Sequence, residues 1–471
     1  MSNKSLKVIN LLYFLALLFL GIYFGKQRAI FGDSSMQLYD MANTGFPRVN
    51  PSMFATVVNF ILPYFAIVAG LSVKVMVYAQ ALNYLLLPLI TFVFLRYRQG
   101  TVKYELSFLL TFTIFNWHTF YFPIHDYWTG FYYLFILYRI ADDKSLKWTP
   151  FQARVAEYLL IALMMFTHLS IVISIGFLYI WMYLERSRNF RQVSVVYSFI
   201  LLVLIFKILF VNSGYQNTLI NPKEMAAGKL FSTDTMKEFW PTLFRSNINF
   251  LVLFLVAAAF AVKEKIYKGA FLLFVVFIMS VAVINVLFGS YGYTVYTEGY
   301  FKSLNIVSGI VITGILLEVL RIKNPVIALI AANYLFSIFI LWNGSIIFQK
   351  QYTFIKESCS RFSTNVYLRS QKNICPLECL TTSRLSILIN QMENNRKTCI
   401  FANIRAQESV EKLNQKWIYD NSISPVHNFT FPNEMIYLNA DSMHFPVDSF
   451  SVLFFKRDCD DMVKRLFPKG G

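Results

Sequence analysis

Two aspartates seven residues apart, Asp33 and Asp40, open the polar stretch that follows the first long apolar block. On a helix, positions seven apart share a face about two turns from each other. A carboxylate at the membrane–water boundary can take a proton from an acceptor hydroxyl or hold a cation. Asp33, before Ser34 and Ser35, also has the residue type preferred at a helix N-cap. Arg48 and Lys74, further along, are candidate cations for a phosphate group. The run Phe122-Pro-Ile-His-Asp-Tyr-Trp128 adds His125 and Asp126 at the mouth of a later apolar block. An aspartate facing lipid costs about 2.5–3.5 kcal/mol at a helix centre and less at its edge, so a polar cavity is the expected setting. The aromatic neighbours equally suit an interfacial belt. His168 falls where two short apolar blocks meet, and reads either as a ligand or as a helix-turn residue. Thr297-Glu-Gly-Tyr-Phe-Lys302 supplies Glu298, Tyr300 and Lys302. They read as a phosphate-binding lysine beside a tyrosine, or as an (i, i+4) ion pair. Lys207, inside an apolar block, could bind an anion but reads better as snorkelling outward.

The elements that must position these residues are apolar helices. The 471 residues are 56% hydrophobic and only 15% charged, with a net charge of +17, whereas soluble domains are about 25% charged. The apolar residues arrive in blocks of the length that spans a ~30 Å hydrocarbon core, which excludes a water-soluble enzyme. Spans are expected near 8–24, 74–95, 104–121, 126–141, 153–168, 170–184, 194–211, 247–262, 269–288, 304–320 and 325–347. The segment 55–72 is apolar but interrupted by Pro63 and Gly70, and reads as a helix lying in or against the outer interface. With the N-terminus inside, the cytoplasmic segments hold about 17 Lys and Arg against about 8 in the longer external loops, the asymmetry that sets orientation. The positive charge is thereby explained without nucleic acid.

From about residue 348 the composition becomes ordinary, with strand-like runs at Cys399 and Ser451 and a helical stretch at 406–417. The expected architecture is an all-α polytopic membrane domain of about eleven helices over 1–347, followed by a small α/β extracytoplasmic domain over 348–471. External loops are expected at 25–73, 212–246 and 289–303. All five cysteines follow the last span, which suits disulfides in an oxidising exterior better than a metal site. None of G-x-x-x-x-G-K-[ST], G-x-G-x-x-G, H-E-x-x-H and G-x-S-x-G occurs.

Taken together, these features resemble the GT-C superfamily of polytopic glycosyltransferases, which includes the lipid A aminoarabinose transferase, the protein O-mannosyltransferases and the phage-type O-antigen glucosyltransferases. Gly32-Asp33 with Asp40 looks like the acidic motif of that family's first external loop. Asn50-Pro-Ser-Met-Phe54 looks like its His-Pro-Pro-Leu-Tyr run, without the His and the second Pro. Arg48 sits where related enzymes place a basic residue for the lipid phosphate. Asp126 resembles the acidic residue at the mouth of the fourth span. Thr297–Lys302 resembles a Glu-Arg-Tyr stretch, with Gly299 where Arg is usual. The resemblance covers 1–190 in layout and 290–320, and does not extend to the tail. It implies an inverting transferase on the outer face. A polyprenyl-phosphate-linked sugar is the donor, a glycan, lipid or protein the acceptor, and Asp33 the general base. No cofactor is required, although a divalent cation is compatible, and no metal ligands are assigned. The bacterial inner membrane is the expected location. A lipid-linked glycan polymerase or ligase, with its key residues in 212–246, and an envelope-glycan transporter or flippase, with charges near the bilayer centre, remain the alternatives.

Overall fold

The computed structural model describes residues 2–30, 33–47, 49, 51–97, 102–115, 120, 126–168, 170–211, 244, 247–288, 301–302, 304–320 and 325–360, with short tail stretches at 366–370, 388–389, 392–393, 399–403 and 451–455. The helices among them are α1 (Ser2–Tyr23), α2 (Gly25–Ile30), α3 (Asp33–Thr44), α4 (Ile61–Val68), α5 (Val73–Arg96), α6 (Val102–Ile114) and α7 (Asp126–Asp142). They continue as α8 (Pro150–Met165), α9 (Ile171–Leu184), α10 (Phe190–Phe210), α11 (Ile248–Lys263), α12 (Tyr267–Phe288), α13 (Ile306–Leu320) and α14 (Pro325–Ser360). A 3-10 segment, Pro51–Phe60, leads into α4.

Each apolar block expected to span coincides with one of these helices. The ends differ most at three places: α1 begins at Ser2 rather than 8, α6 is described only to Ile114, and α14 runs on through 347 to Ser360. Five helical stretches are long and apolar enough to cross a membrane: Lys4–Tyr23, Val73–Arg96, Phe190–Phe210, Tyr267–Ile284 and Val326–Glu357. Met53–Val68, Ile171–Leu184, Ile248–Lys263 and Ile306–Val319 are shorter apolar helices. Their outward faces are greasy rather than polar: Leu202, Phe210, Phe271, Leu335 and Phe339 are all more than 60% exposed. Such a surface suits a solvent of acyl chains, so the molecule is compatible with an integral membrane protein.

Packing inside the bundle relies on close backbone approach and on paired polar side chains. Helices α6 and α13 meet at Gly309, where an added Cβ would overlap the Thr111 hydroxyl and lie 2.8 Å from Thr111 Cβ. Helices α1 and α14 meet through Tyr13 and Tyr334, stacked at 4.0 Å between centroids. The Tyr334 hydroxyl donates to Asn10 Oδ1 at 2.9 Å, and the Tyr13 hydroxyl lies 2.5 Å from Ser337 Oγ. A buried hydroxyl needs such a partner where no water can serve.

Among the described residues, most of the ion pairs gather in one network. Lys103 lies 3.1 Å from Asp142 and 2.6 Å from Glu185. Arg188 pairs with Glu157 at 3.1 Å and donates to the Ala141 carbonyl at the end of α7. Arg139, fully buried, donates to the Phe94 and Tyr97 carbonyls at the end of α5 and pairs with Asp143 at 3.1 Å. Arg96 reaches the Lys7 carbonyl near the start of α1. These residues come from the segments 1–7, 96–103, 139–154 and 185–192 and from the adjoining helix turns, so these four of the six segments expected on one side meet through direct contacts.

Beyond α14 the described residues include three five-residue strands: β1 (Val366–Ser370), β2 (Cys399–Asn403) and β3 (Ser451–Phe455). Both pairings are parallel, in the order β2-β1-β3, with Val366 opposite Cys399 and Ser451. The strand-like runs at 399 and 451 are thus neighbours of a common central strand. The helical stretch at 406–417 and the cysteine side chains lie outside the described residues.

Two outcomes follow from this packing. Gly309→Ala should destabilise the bundle by about 1–3 kcal/mol through overpacking, with partial rescue by Thr111→Ala; an unchanged melting temperature in detergent would refute the close approach. For Asp143, burial raises the carboxyl, but the Ser145 donors and the Arg139 guanidinium outweigh it and hold its pKa below the ordinary value of 3.8. A depressed carboxylate stabilises fully above its unfolded pKa and loses that contribution as pH falls through the folded one. Melting temperature should therefore fall as pH drops below the ordinary value of 3.8, and less steeply in Asp143→Asn.

Candidate functional site

The opposite end of the bundle is built around the chain's exit from α1. Phe24 and Arg28 keep hydrogen bonding to Leu20 and Phe24, so α2 continues α1 past a one-residue interruption. This carries Arg28 inward, where it is 3% exposed. Its Nε donates to the Phe120 carbonyl at 2.8 Å, and its guanidinium lies 4.2 Å from the Phe120 ring centroid. Gly21 makes room for it, since a Cβ there would stand 2.8 Å from Arg28 Nη1. The cation thus enters a narrow groove lined by Phe14, Leu85, Pro88, Phe112 and Tyr132. A planar guanidinium suits this setting because it stacks on rings and is weakly hydrated.

Helix α3 starts at Asp33 and ends at Thr44, so positions 33 and 40 do share a helix and one of its faces. Ser34 and Ser35 are buried, and the Tyr84 hydroxyl donates to Ser34 Oγ at 2.9 Å, fixing the first turn of α3 against α5. Asp126 is the first residue of α7, the helix mouth expected for it. The side chains of Asp33, Asp40 and Asp126, and the whole of Arg48, His125, Glu298 and Tyr300, lie outside the described residues.

Between α3 and α5 runs the interrupted apolar segment. The 3-10 stretch is kinked at Met53 (φ −129°, ψ 25°), and the change of helix type at Phe60 disturbs the regular backbone ladder. Helix α5 supplies partners: Asn83 Nδ2 donates to the Val58 carbonyl at 3.0 Å while Asn83 Oδ1 accepts from Leu62 N at 3.2 Å. Gln80 Nε2 donates to the Asn59 carbonyl at 2.8 Å, and Asn59 in turn reaches Thr129 on α7. Irregular backbone in an apolar setting is tolerated only where side chains satisfy it in this way. Gly70 then ends α4 in the left-handed region (φ 67°), with Leu71 N bonded to the Ala66 carbonyl, a turn that favours glycine.

The α8–α9 turn meets the same region, since Ala55 N donates to the Phe166 carbonyl at 3.2 Å. His168 is buried, and its Nδ1 accepts from Ser170 N at 3.2 Å and lies 2.8 Å from Ser170 Oγ. That pattern orders the start of α9, as the helix-turn reading requires. Lys207 differs from the sequence expectation: instead of snorkelling it is 1% exposed and donates to the Met165 carbonyl at 2.6 Å. The last carbonyls of α8 attract it more than the interface does. Lys302 is also buried, just before α13. Lys74 is exposed on the first turn of α5, and no contact among the described residues brings it to Arg28, His168 or Lys302.

The last turns of α14 meet this end through α2. Lys26 of α2 sits 4.6 Å above the Tyr352 ring of α14. The Tyr352 hydroxyl donates to Glu393 at 2.5 Å, and Lys356 pairs with the same carboxylate at 2.6 Å. Arg28, Arg139 and Lys207 are the residues that sequence reasoning missed as buried cations. The signal at Arg28 was the apolar pair Ala29-Ile30 that follows it, but with Lys26 two residues before, its neighbourhood in the chain reads as ordinary interfacial charge.

Arg28→Lys keeps the charge but loses the stack and the Nε donor. A fall in stability of about 1.5–3 kcal/mol is expected for a lost charged hydrogen bond in a buried site; a melting temperature equal to wild type would show that the guanidinium is not anchored there. Set against protein-family models, curated proteins and solved structures, the chain matches none of them.

Proposed function

We propose that the chain is a membrane glycosyltransferase that moves a sugar from a polyprenyl-phosphate-linked donor to an acceptor on the outer face of the membrane. The observation that carries this reading is the start of α3: Asp33 opens a short helix immediately beyond α1–α2, at the end of the bundle that also holds buried Arg28, His168 and Lys302. An acidic residue at the first external loop beside buried cations is what the chemistry calls for. The acceptor oxygen attacks the anomeric carbon from the face opposite the phosphate. The carbon–oxygen bond to the phosphate breaks, and its electron pair leaves with the polyprenyl phosphate. Asp33 takes the acceptor proton, and a cation stabilises the departing charge. Inversion follows from the single displacement.

In this reading all eleven apolar helices cross the membrane, with the N-terminus and the ion-paired end in the cytoplasm, consistent with the Lys and Arg asymmetry. Residues 348–471 then form an α/β domain on the periplasmic side of a bacterial inner membrane, in keeping with the parallel strands of the tail. Asp40, Arg48, Asp126, His125, Glu298 and Tyr300 belong to the same external face, and the acceptor is a glycan, a lipid or a protein.

The test is transfer from synthetic polyprenyl-phosphate sugars by purified protein in detergent, followed by mass spectrometry of the donor. Loss of a general base lowers turnover by roughly 10²–10⁴-fold, so Asp33→Asn should lose donor consumption to that extent while keeping its melting temperature. Equal consumption by both proteins would reduce Asp33 to a helix cap. Absence of consumption by wild type across several sugars would overturn the transferase.

A further inference from the structure

An open cleft of about 1080 Å³ lies at the ion-paired end, between the α7–α8 and α9–α10 connections, with Lys268 at the start of α12 on its wall. Four cations line it, Lys147, Arg186, Arg188 and Lys268, with the carboxylates Asp142 and Asp143. The carboxylates are committed elsewhere, Asp142 to Lys103 and Asp143 to Arg139, and Arg188 to Glu157. Lys147, Arg186 and Lys268 are exposed and have no partner among the described residues. Three uncommitted positive charges therefore face one cavity.

The backbone is consistent with this placement. Lys147 (φ 52°) and Arg186 (φ 62°) sit in the left-handed region, as does Lys265 (φ 60°) outside the cleft, where glycine is favoured and a side chain is strained. Arg186 occupies the turn that ends α9, with Ser187 N bonded to the Met182 carbonyl, a position usually given to glycine. Cations held in such conformations on the wall of a cavity suggest a use for the charge beyond ending a helix. Trp148 and Phe190, 41% and 72% exposed, line the same cleft, as rings do at the level of lipid headgroups.

We propose that this cleft binds a phosphate-bearing headgroup, its phosphate held by Lys147, Arg186 and Lys268 and its acyl chains lying past Trp148 and Phe190. Basic pockets between helix ends on the cytoplasmic side are suited to anionic lipids. The site is separate from the transferase chemistry and stands or falls without it.

The test is native mass spectrometry of the full chain in detergent, titrated with phosphatidylglycerol, phosphatidylcholine or inorganic pyrophosphate. The variant is Lys147→Gly/Arg186→Gly/Lys268→Gln, in which the first two changes relieve backbone strain and so preserve folding. Its control, Lys4→Gln/Arg154→Gln/Lys350→Gln, removes equal charge outside the cleft. Wild type and control should retain phosphatidylglycerol over phosphatidylcholine. The cleft variant should lose phosphatidylglycerol affinity by roughly 100-fold, at about fivefold per cation, with a melting temperature at or above wild type. Competition by pyrophosphate that is lost in the cleft variant would keep the phosphate site and assign it to a soluble ligand. Equal loss in the control, or no loss in the cleft variant, would overturn the proposal.

Discussion

A hydrocarbon solvent offers no partner to a backbone carbonyl, and the last turn of every helix leaves several without one. In this bundle long cations from neighbouring helices meet that need. Arg139 donates to the end of α5, Arg188 to the end of α7 and Lys207 to the end of α8. Arg28, reaching back toward the Gly21 carbonyl of α1 at 3.5 Å, follows the same rule more weakly. Each contact also ties one helix to another, so capping and tertiary packing are one interaction rather than two. The partial negative charge at a helix C-terminus favours the arrangement electrostatically.

The same requirement explains how an interrupted segment survives between α3 and α5. Without the amide side chains of Asn83 and Gln80, the 58–62 junction would leave backbone groups unpaired among apolar side chains, at a penalty of about 1–3 kcal/mol each. With them, the junction becomes a rigid part of the wall at the α2–α3 end. The position of α3, and with it of Asp33 and Asp40, is therefore set by polar bonds as well as by apolar packing.

The helices were legible because their signal is composition over a window of about twenty residues, and composition does not depend on partners. Loop charge was legible for the same reason, and the basic residues of four of those loops meet in one network of ion pairs and carbonyl caps. What could not be read was the fate of single polar residues within apolar runs. Lys207 in Leu-Ile-Phe-Lys-Ile-Leu-Phe has the same local sequence whether it snorkels or caps another helix; only the position of Met165, forty-two residues away, decides. Arg28 was hidden likewise by its dependence on Phe120. The end of α14 was misjudged because composition changes at 348 while helix propensity does not, and the chain through Gln351-Tyr-Thr-Phe-Ile-Lys356 continues to satisfy its own backbone. At the candidate site, the acidic helix starts at 33 and 126 were readable from residue type, whereas the meeting of the tail with α2 was not.

That continuation makes α14 a rod of 36 residues, about 54 Å at 1.5 Å per residue. A bilayer core is only ~30 Å thick, so about four turns exceed the length that crossing one requires and form a stiff mast. The mast is stayed by Lys26 against the Tyr352 ring. A helix transmits torsion as well as height, so each residue added or removed before Tyr352 would turn that ring by about 100° and shift it by about 1.5 Å relative to Lys26. The number of residues in one helix thus gauges where the tyrosine meets α2.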